Sequence, residues 1–488
     1  MKMDLSYRTA LIFTAALALT AVPFSCQKHY DMVPPPAVQE DDDLDDEIFG
    51  DAEDYFVSLY GDGEMDGSSW ENALDEAGLI DLLTGTENLS ECHIHVCEGT
   101  YHLSLTANTS ITVKKNVAGI FGGYSDQSQG TSTETRDPEK YQTIFSGDLN
   151  ENGTADEGDC GLMTINSGHV KIDGVIFQHG YISENTALAQ TSGSGFFIDG
   201  DAATTILELS DCIVRDCVHG ATSSHSAEAG GAAIRIMTGQ ARLKNVQLTG
   251  NHSDNRGGAI RCCEQGSILM LDRCLINDND ITNQWGSGIQ LSSGNACLNN
   301  TSIFGNTTDK LQQSGQINGG AAMLIVNSTI IGEDSETYVV RCESPAGSTT
   351  RFINNVFLSK DGTGTGFCLN GNSFEATSFG FNLYNKVSGV TMLASDRQYT
   401  GNFADLCSYD EQENVFKWTA GAAGLSEFAT AAAVTEAVRG FNPSTCPVAN
   451  LGNVFADWCT EAAFSVDARG SARNPEKFQP GAYDAGLQ

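Results

Sequence analysis

Residues 269–279 read LMLDRCLINDN, and residues 296–306 read ACLNNTSIFGN. Each stretch has apolar residues at its first and third places, and a polar pair follows. Each also has isoleucine at its eighth place, Ile276 or Ile303, and asparagine at its eleventh, Asn279 or Asn306. Side chains two residues apart lie on one face of a β-strand. The pattern therefore predicts short strands whose apolar side chains face a common interior.

The same pattern recurs along the middle of the chain, and this internal repeat decides the fold class. Its units start, at intervals of 37, 34, 28, 27, 28 and 27 residues, at Val170, Leu207, Ala241, Leu269, Ala296, Leu324 and Arg351. The eighth place is apolar throughout and holds Phe177, Val214, Leu248, Ile276, Ile303, Ile331 and Leu358. The eleventh place holds Gly180, Cys217, Asn251, Asn279, Asn306, Asp334 and Asp361. We expect the eighth-place side chains to stack inside the fold. We expect Asn and Asp to form bends, because they tolerate left-handed backbone and bond to nearby amides.

A second, glycine-rich strand precedes several of these units. It is predicted at residues 230–234, 257–260, 286–289 and 319–322. Coils of about 27 residues with two or three short strands are too short for a propeller blade and lack a helical period. The prediction is an all-β chain, a right-handed parallel β-helix with a small N-terminal cap and an irregular C-terminal cap.

The glycine-rich segment Gly257-Gly258-Ala259-Ile260, with apolar-x-x-Asn turns such as Leu248 to Asn251, resembles the repeats of polymorphic outer membrane proteins. More broadly, the chain is similar to pectin-lyase-like β-helix lipoproteins of Gram-negative surfaces. The stretches 66–70, 120–124 and 481–483 carry that second likeness. The resemblance covers residues 55–488 and implies the fold. It leaves function open, because this fold hosts lyases, hydrolases, adhesins and structural proteins.

The first residues are typical of an export signal. Lys2 and Arg8 precede an apolar run from Ala10 to Val22, and Ser25-Cys26 follows. This pattern resembles a bacterial lipobox and predicts a signal peptide at 1–25 and a lipid on Cys26. Cleavage without lipidation is the alternative. We expect an outer membrane lipoprotein, exposed at the cell surface and held to the membrane by its lipid.

The remaining organisation follows composition. Residues 26–54 contain a run of acidic residues and are predicted to form a lipidated tether, because like charges repel and extend a chain. We expect an N-terminal cap and first coils at 55–169, the repeat region at 170–385 and the C-terminal cap at 386–488. Helical stretches are predicted at about 70–83 and at 430–438.

Charge and cysteine content limit the partners. The formal net charge of −37 repels nucleic acid, so nucleic-acid binding is excluded as a leading hypothesis. The chain has 15 cysteines, and 14 remain if Cys26 carries a lipid. Their pairing cannot be read from sequence. Several occupy inward repeat positions, where a free cysteine packs as a small hydrophobic residue.

The stretch from Asp148 to Asp159 has the spacing of a calcium-binding loop. Side-chain oxygens fall at places 1, 3, 5, 9 and 12, and a glycine stands at place 6. The predicted calcium ligands are Asp148, Asn150, Asn152, Asp156, Asp159 and the backbone carbonyl of Thr154. The alternative is an acidic solvated loop without a metal.

Two weaker metal candidates have simpler alternatives. The acidic residues Asp62, Glu64 and Asp66 are explained by ordinary turn chemistry. His93 and His95 lie on one side of a predicted strand, and paired imidazoles can bind zinc. No third ligand is identifiable for them, and surface-facing histidines are the alternative.

Candidates for catalysis are few, and no catalytic residue can be assigned. A lyase needs a basic residue near acids, and a glycosidase needs two opposed carboxylates. The basic candidates are Arg215, Arg235 and Arg261, and the carboxylates nearest to a ladder are Asp173, Asp211 and Asp272. We therefore expect a non-enzymatic surface protein that uses its β-helix for adhesion or for binding a polysaccharide or host-surface ligand. The alternative is a polysaccharide lyase or glycoside hydrolase on the same fold.

Overall fold

The computed structural model describes residues 53–125, 136–183, 193–220, 230–264, 266–282, 285–308, 315–320, 322–333, 338–343, 349–360, 362, 365–370, 375–410, 415–419, 428–439, 441, 458 and 465–482. The predicted signal peptide, Cys26 and nearly all of the tether lie outside the described residues. All described residues belong to the unit Val33–Gln488.

Parallel strands dominate the described chain, and three of their sheets run its length. Sheet A contains Glu53–Val57, Leu89–Cys97, Val117–Tyr124, His169–Asp173, Ile206–Ser210, Ile234–Lys244, Ser267–Asp272, Asn295–Asn299, Ala322–Val326, Thr349–Ile353 and Glu375–Ser378. Sheet B contains Ile111–Val113, Met163–Ile165, Phe196–Asp199, Ile260–Cys262, Ile289–Leu291, Ile317–Gly319, Tyr338–Glu343, Thr365–Asn370 and Val387–Ser388, and shares Ile234–Lys244 with sheet A.

Sheet C and the smaller sheet D complete the coils. Sheet C contains Gly99–Tyr101, Thr143–Ser146, Val175–Gln178, Ile213–Arg215, Gln247–Thr249, Leu275–Asn277, Ser302–Phe304, Thr329–Gly332, Val356–Ser359, Leu383–Tyr384 and Arg397–Gln398. Sheet D contains Tyr181–Ser183, Val218–Gly220, His252–Ser253, Asp280–Ile281 and Thr307–Thr308. Each strand of these sheets pairs with the equivalent strand of the next coil, so the predicted parallel β-helix is confirmed.

Helices are few and lie outside the repeats. They are a 3₁₀ turn at Trp70–Asn72 and α-helices at Glu76–Thr84, Phe403–Leu406 and Ala431–Val438. The first α-helix starts because the Asp75 carboxylate accepts a 2.8 Å hydrogen bond from the Gly78 amide. Its buried leucines, among them Leu79 and Leu83, join the main core. No helix of the described ranges combines the length and apolar character that crossing a membrane requires.

The predicted register is wrong in the last two repeat units. Ala296 pairs with Met323, so that unit starts at Met323 and not at Leu324. As a consequence Ile330, and not Ile331, stacks on Ile303. A shift of one residue moves a side chain to the opposite face of a strand. The sequence hid the shift because residues 330 and 331 are both isoleucine.

The final unit has the same offset. It starts at Thr350, and Phe357 rather than Leu358 occupies the inward column. Ile331 and Leu358 instead face outward and pack in a second apolar cluster. This cluster lies beneath described residues of the stretch 403–482, which we call the C-terminal segment. Asp334 and Asp361, predicted at the bends, lie outside the described residues.

The bounds of the glycine-rich strands also need correction. The strands of three coils begin at Ile234, Ile260 and Ile289, which are the last residues of the predicted ranges, so the glycines precede the strands. The fourth prediction is wrong in a different way. Ile317 pairs with Ile289, so the strand of that coil is Ile317–Gly319 and does not run over residues 319–322. Glycines in this segment resemble those of the earlier coils but end the strand instead of opening it.

Asparagines at the eleventh place form a buried ladder. The side-chain amide Nδ2 of Asn251 donates to the side-chain oxygen of Asn279 at 2.8 Å. The side-chain amide Nδ2 of Asn279 donates in turn to the side-chain oxygen of Asn306 at 2.8 Å. The predicted left-handed backbone lies one residue earlier, at Asp278 with φ of 53° and Gly305 with φ of 71°. The eleventh-place asparagines therefore connect neighbouring coils through their side chains, and the residue before each of them forms the bend.

The C-terminal segment covers apolar outer faces of sheets A and C. Helix Ala431–Val438 packs Val434 and Ala437 with outward residues of sheet A such as Met270 and Leu324. Arg473, 4% exposed, fixes a neighbouring part of this segment by donating to the side-chain oxygen of Asn300 at 3.0 Å. This cover explains why outward positions of the later coils are apolar.

Cysteines at eleven positions of the described ranges are buried. They are Cys92, Cys97, Cys160, Cys212, Cys217, Cys262, Cys263, Cys274, Cys297, Cys342 and Cys407. Cys274, for example, occupies the sixth place of its repeat unit, and burial raises the pKa of its thiol to about 12. At the inward repeat positions Cys212, Cys217 and Cys274 the side chains pack in the main apolar core, as predicted. Cys297 faces outward instead, in register with Met270 and Leu324.

Candidate functional site

Three rings form a column on the outer face of sheet A near its first strand. Phe56 lies opposite His95, and His95 lies opposite Phe121, in three neighbouring parallel strands. The Phe56 and His95 ring centroids are 5.2 Å apart, and those of His95 and Phe121 are 5.9 Å apart. The ring planes of each pair are nearly parallel, with interplanar angles of 21° and 22°. The strand register thus turns three residues far apart in sequence into one stack.

Two further rings widen the column. Trp70, from the 3₁₀ turn, lies 4.9 Å from the Phe56 ring and 5.4 Å from the Tyr124 ring. All five side chains are half-buried. We call Phe56, Trp70, His95, Phe121 and Tyr124 the aromatic face. Part of each of these side chains remains exposed to solvent.

Polar groups lie at the margin of the aromatic face. Asp54 Oδ1 is 3.0 Å from His95 Nε2, and the Tyr124 hydroxyl is 2.8 Å from His95 Nδ1. Burial lowers the pKa of His95, which favours a neutral imidazole at pH 7. A neutral ring that donates to the Asp54 carboxylate has its other nitrogen free to accept the Tyr124 proton. Carboxylate, imidazole and phenol are therefore held in one hydrogen-bonded line.

An ion pair borders the other side of the face. The Arg136 guanidinium lies 5.5 Å from the Phe121 ring centroid and pairs with Asp173. Burial raises the pKa of Asp173, and the Arg136 charge opposes that rise. Acceptors and donors are thus available at both edges of the ring surface.

The predicted histidine pair does lie on one face, but a zinc site is not assembled there. His93 Nδ1 and His95 Nε2 approach the same oxygen of Asp54, at 3.8 and 3.0 Å. Over the ranges that the structure describes, no three histidine, cysteine or acidic side chains are grouped as metal ligands. His95 belongs to the aromatic face, a site that sequence reasoning missed, and His93 contacts that face edge-on at Phe121, with ring centroids 5.4 Å apart. Its signal was the alternation of His93 and His95 on the strand Leu89–Cys97.

The three candidate carboxylates do not form a ladder. Asp173, Ser210, Lys244 and Asp272 occupy one outward column in successive coils. Asp173 and Asp272 are therefore about 14 Å apart at the usual strand spacing, too far for a glycosidase pair. Asp211 lies in the bend after the column, with φ of 49°.

The three candidate arginines are not placed as catalytic bases. Arg235 and Arg261 pair across sheet B and are 1% and 0% exposed. Arg215 donates two hydrogen bonds to Gln178 Oε1, at 3.1 and 2.7 Å. Two of the three guanidinium groups are thus buried, and the third is bonded to Gln178.

The acidic turn at residues 62–68 is explained by local hydrogen bonds. The Asp62 carboxylate accepts from the Gly63 amide at 2.8 Å, and the Asp66 carboxylate accepts from the Ser68 amide at 2.9 Å. These are the bonds of ordinary turns, so nothing in this segment requires a metal.

The predicted calcium loop is closed by its own hydrogen bonds. Asp148 accepts from the amides of Asn152 at 3.1 Å and Gly153 at 2.7 Å. Asp159 accepts from the Leu149 amide at 2.9 Å and from the Asp156 amide at 2.8 Å. Burial, followed by the charges of Asp156 and Asp148, raises the pKa of Asp159.

The side-chain amides of Asn150 and Asn152 both donate to Asp156, at 3.2 and 2.6 Å. Amide oxygen and nitrogen are assigned from such networks, and ligation would need the oxygens to turn toward the cation. The predicted ligands thus bond to other groups of the loop, and its acidic side chains are not grouped as a metal site. Calcium binding stays a prediction.

We expect millimolar calcium to raise the melting temperature of the protein, because a cation offsets repulsion among the crowded carboxylates of the loop. Asp156→Ala should remove the calcium-dependent increase, whereas Glu157→Ala, an exposed acidic neighbour outside the predicted ligand set, should retain it. The affinity should be about 10⁻⁴ to 10⁻³ M. Calorimetry without heat at millimolar calcium, with an unchanged melting temperature, would contradict calcium binding.

A histidine clamped by two acids lies on sheet D. His252 Nε2 is 3.2 Å from Asp254 Oδ1, and its Nδ1 is 2.7 Å from Asp280 Oδ2. Hydrogen bonds from Asp254 and then Asp280 raise the pKa of His252 from 6.5 to about 10. The imidazolium is therefore charged in the folded protein at neutral pH.

This clamp predicts a specific pH dependence. Because the folded-state pKa of His252 exceeds its unfolded value, the stabilisation is complete below pH 6.5 and is lost as pH rises through about 10. Urea unfolding from pH 6 to 10 should show a steeper loss of stability in the wild type than in His252→Gln. Parallel curves for the two proteins would rule out the clamp.

No family model matches the chain, and no curated protein sequence matches it. Among solved structures, pectate lyase Pel9A is similar at 14% identity, covering 77% of this chain and 87% of its own, with a TM-score of 0.40. Pectate lyase II from Xanthomonas campestris matches at 11% identity over 72% and 84%, with a TM-score of 0.28. Pectin methylesterase from Aspergillus niger matches at 13% over 67% and 86%, with a TM-score of 0.26. Similarity at this level carries no inference about activity, and the fold rests on the strand pairings above.

Proposed function

We propose that this chain is a cell-surface lipoprotein that binds glycans through the aromatic face and catalyses no reaction on them. The observation that carries the proposal is the stack of half-buried rings with acid, imidazole and phenol groups at its margin. Sugar rings have apolar C–H faces that pack on aromatic surface, and their edge hydroxyls need polar partners. A flat sheet that offers both fits an extended polysaccharide.

The lipid anchor and the cellular location are part of the same proposal. The apolar run Ala10 to Val22 and the Ser25-Cys26 pair support lipidation, and the acidic tether supports display away from the membrane. We propose an outer membrane lipoprotein that faces the cell exterior. The membrane, through the lipid, and a polysaccharide or host-surface glycan are its partners, and nucleic acid is not.

Cys26→Ser should release the protein from the membrane fraction and abolish metabolic labelling with fatty acid, because the thioether-linked lipid would have no attachment point. Fractionation and labelling of cells that express the full chain measure both effects. Labelling that persists in the variant would place the anchor elsewhere and contradict the proposal.

A carbohydrate-active enzyme, a lyase or a glycoside hydrolase, is the second candidate. The observation that favours it is the line from Asp54 through His95 to Tyr124, because a neutral imidazole between an acid and a phenol can relay a proton. The separation of about 14 Å between Asp173 and Asp272 and the burial of Arg235 and Arg261 argue against it.

Glycan-array binding and a depolymerisation screen of the full chain separate the two candidates. We expect one or more glycans to bind without turnover, and Trp70→Ala and Phe121→Ala to reduce binding by roughly tenfold or more. Tyr60→Ala is the matched control, since Tyr60 is an aromatic residue of the same region that is 85% exposed and outside the aromatic face. Turnover of any polysaccharide, if lost in His95→Ala, would establish the enzyme instead. An array without binding would contradict glycan recognition.

A further inference from the structure

A cleft on the outer face of sheet B has the composition of a binding site. Its floor is a row of three residues in register, Thr112, Thr164 and Phe197. The space measures about 260 Å³. Its walls are Thr109, Ser110, Asn166, Ile182 and Asp199. The aromatic face belongs to sheet A, so the cleft is a separate feature of the fold.

The lining offers many hydrogen-bonding groups in a small volume. Four of the lining residues carry hydroxyls, Thr109, Ser110, Thr112 and Thr164, and Asn166 adds an amide. The Thr109 hydroxyl donates to the Thr106 carbonyl at 2.7 Å, so it meets a ligand as an acceptor. Ser110 Oγ and Thr164 Oγ1 are 2.8 Å apart and already bond across neighbouring coils. Hydroxyl and amide groups both donate and accept, which matches a ligand rich in hydroxyls. Ile182 and Phe197 supply the apolar wall that binding sites for organic ligands commonly have.

Charge restricts the class of ligand. Asp199 is the one ionisable side chain among the eight residues that line the cleft. Burial raises the pKa of Asp199, and the charge of Arg235 partly offsets that rise. A carboxylate at the wall, in a chain of net charge −37, repels uronic acids and sulfated sugars. It accepts hydrogen bonds from neutral sugars and attracts an amino sugar.

The volume of the cleft restricts the class of ligand further. A volume of 260 Å³ is below the range of about 300–1,000 Å³ that holds drug-sized ligands. The cleft therefore accommodates one sugar ring rather than several consecutive residues of a polymer.

We propose that this cleft is a second carbohydrate site, which binds a single neutral or amino sugar residue such as the end of a glycan chain. The proposal rests on the glycan-binding function for its class of ligand, and its location is independent of the aromatic face. The protein would then hold a chain on sheet A and recognise a terminal residue on sheet B.

The test is saturation-transfer NMR and calorimetry on the full chain with the methyl glycosides of glucose, galactose, mannose, glucosamine and glucuronic acid. At least one neutral or amino sugar should bind at millimolar concentration, and the glucuronide should bind roughly tenfold more weakly or not at all. Thr164→Val, which replaces a hydroxyl by a methyl group, and Asp199→Asn should each weaken the bound sugar by about tenfold.

Asp201→Asn is the matched control for charge, because Asp201 lies two residues along the chain and outside the lining. Thermal unfolding of each variant checks that the fold is retained. The same sugar is titrated into Trp70→Ala, because loss of binding in that variant would assign the sugar to the aromatic face and overturn the cleft as its site. Absence of binding by every sugar, equal binding in both cleft variants, or preference for the glucuronide would overturn the proposal.

Discussion

Ile303→Asp should lower the free energy of unfolding by about 4 kcal/mol or more, because it places a carboxylate in the core without a partner. Ile303 is 0% exposed and lies in the inward column between Ile276 and Ile330. Its nearest coil neighbours are apolar, so they offer the charge neither a cation nor a hydrogen-bond donor. Urea unfolding followed by circular dichroism measures the change.

Two substitutions control for this result. Ile303→Val should cost only about 1 kcal/mol, since it removes one methylene group and keeps the interior apolar. Leu105→Asp introduces the same charge at a leucine that is 75% exposed and should be nearly neutral. If Ile303→Asp unfolds at the wild-type urea concentration, Ile303 does not face the interior and the inward column is wrong.

Asn279→Leu should lower the free energy of unfolding by about 3 kcal/mol or more, because it keeps the shape of the side chain and removes its hydrogen bonds. Asn279 is 0% exposed. Its side-chain amide donates to the Leu248 carbonyl at 2.9 Å and to the Asn306 side-chain oxygen at 2.8 Å. Its side-chain oxygen accepts from the backbone amide of Asn251 at 3.0 Å. Each buried partner left without its bond costs about 1–3 kcal/mol.

The comparison variant for the ladder is Asn88→Leu, at an exposed asparagine. It should change stability by no more than about 0.5 kcal/mol. Equal effects at positions 279 and 88 in urea unfolding would mean that the ladder does not hold neighbouring coils together.

The repeat could be predicted from sequence because its two periods act together. Alternation within a strand identifies the inward residues, and an interval near 27 residues places strands of successive coils side by side. The exact register could not be predicted where both faces of a strand are apolar, as at Ile330 and Ile331. There the outer face is covered by a segment more than 70 residues further along the chain. No local sequence pattern predicts this contact.

The candidate site was less accessible to sequence reasoning. Phe56, His95 and Phe121 are separated by 39 and 26 residues, before the regular repeats begin. Only the strand pairings bring them into one column. The histidines were visible as a pair on one strand, but the rings on both sides of His95 come from other coils. Because the sequence has no regular interval in this region, it does not predict which residues contact one another.

Titration calorimetry with the glycan that binds best on the array tests the central claim most directly, with wild type, Trp70→Ala and Tyr60→Ala compared at equal concentration. We predict that Trp70→Ala weakens binding by roughly tenfold or more while Tyr60→Ala binds as the wild type does, with all three melting temperatures alike. Undiminished affinity in Trp70→Ala would contradict the claim that the aromatic face of the β-helix is the glycan-binding surface.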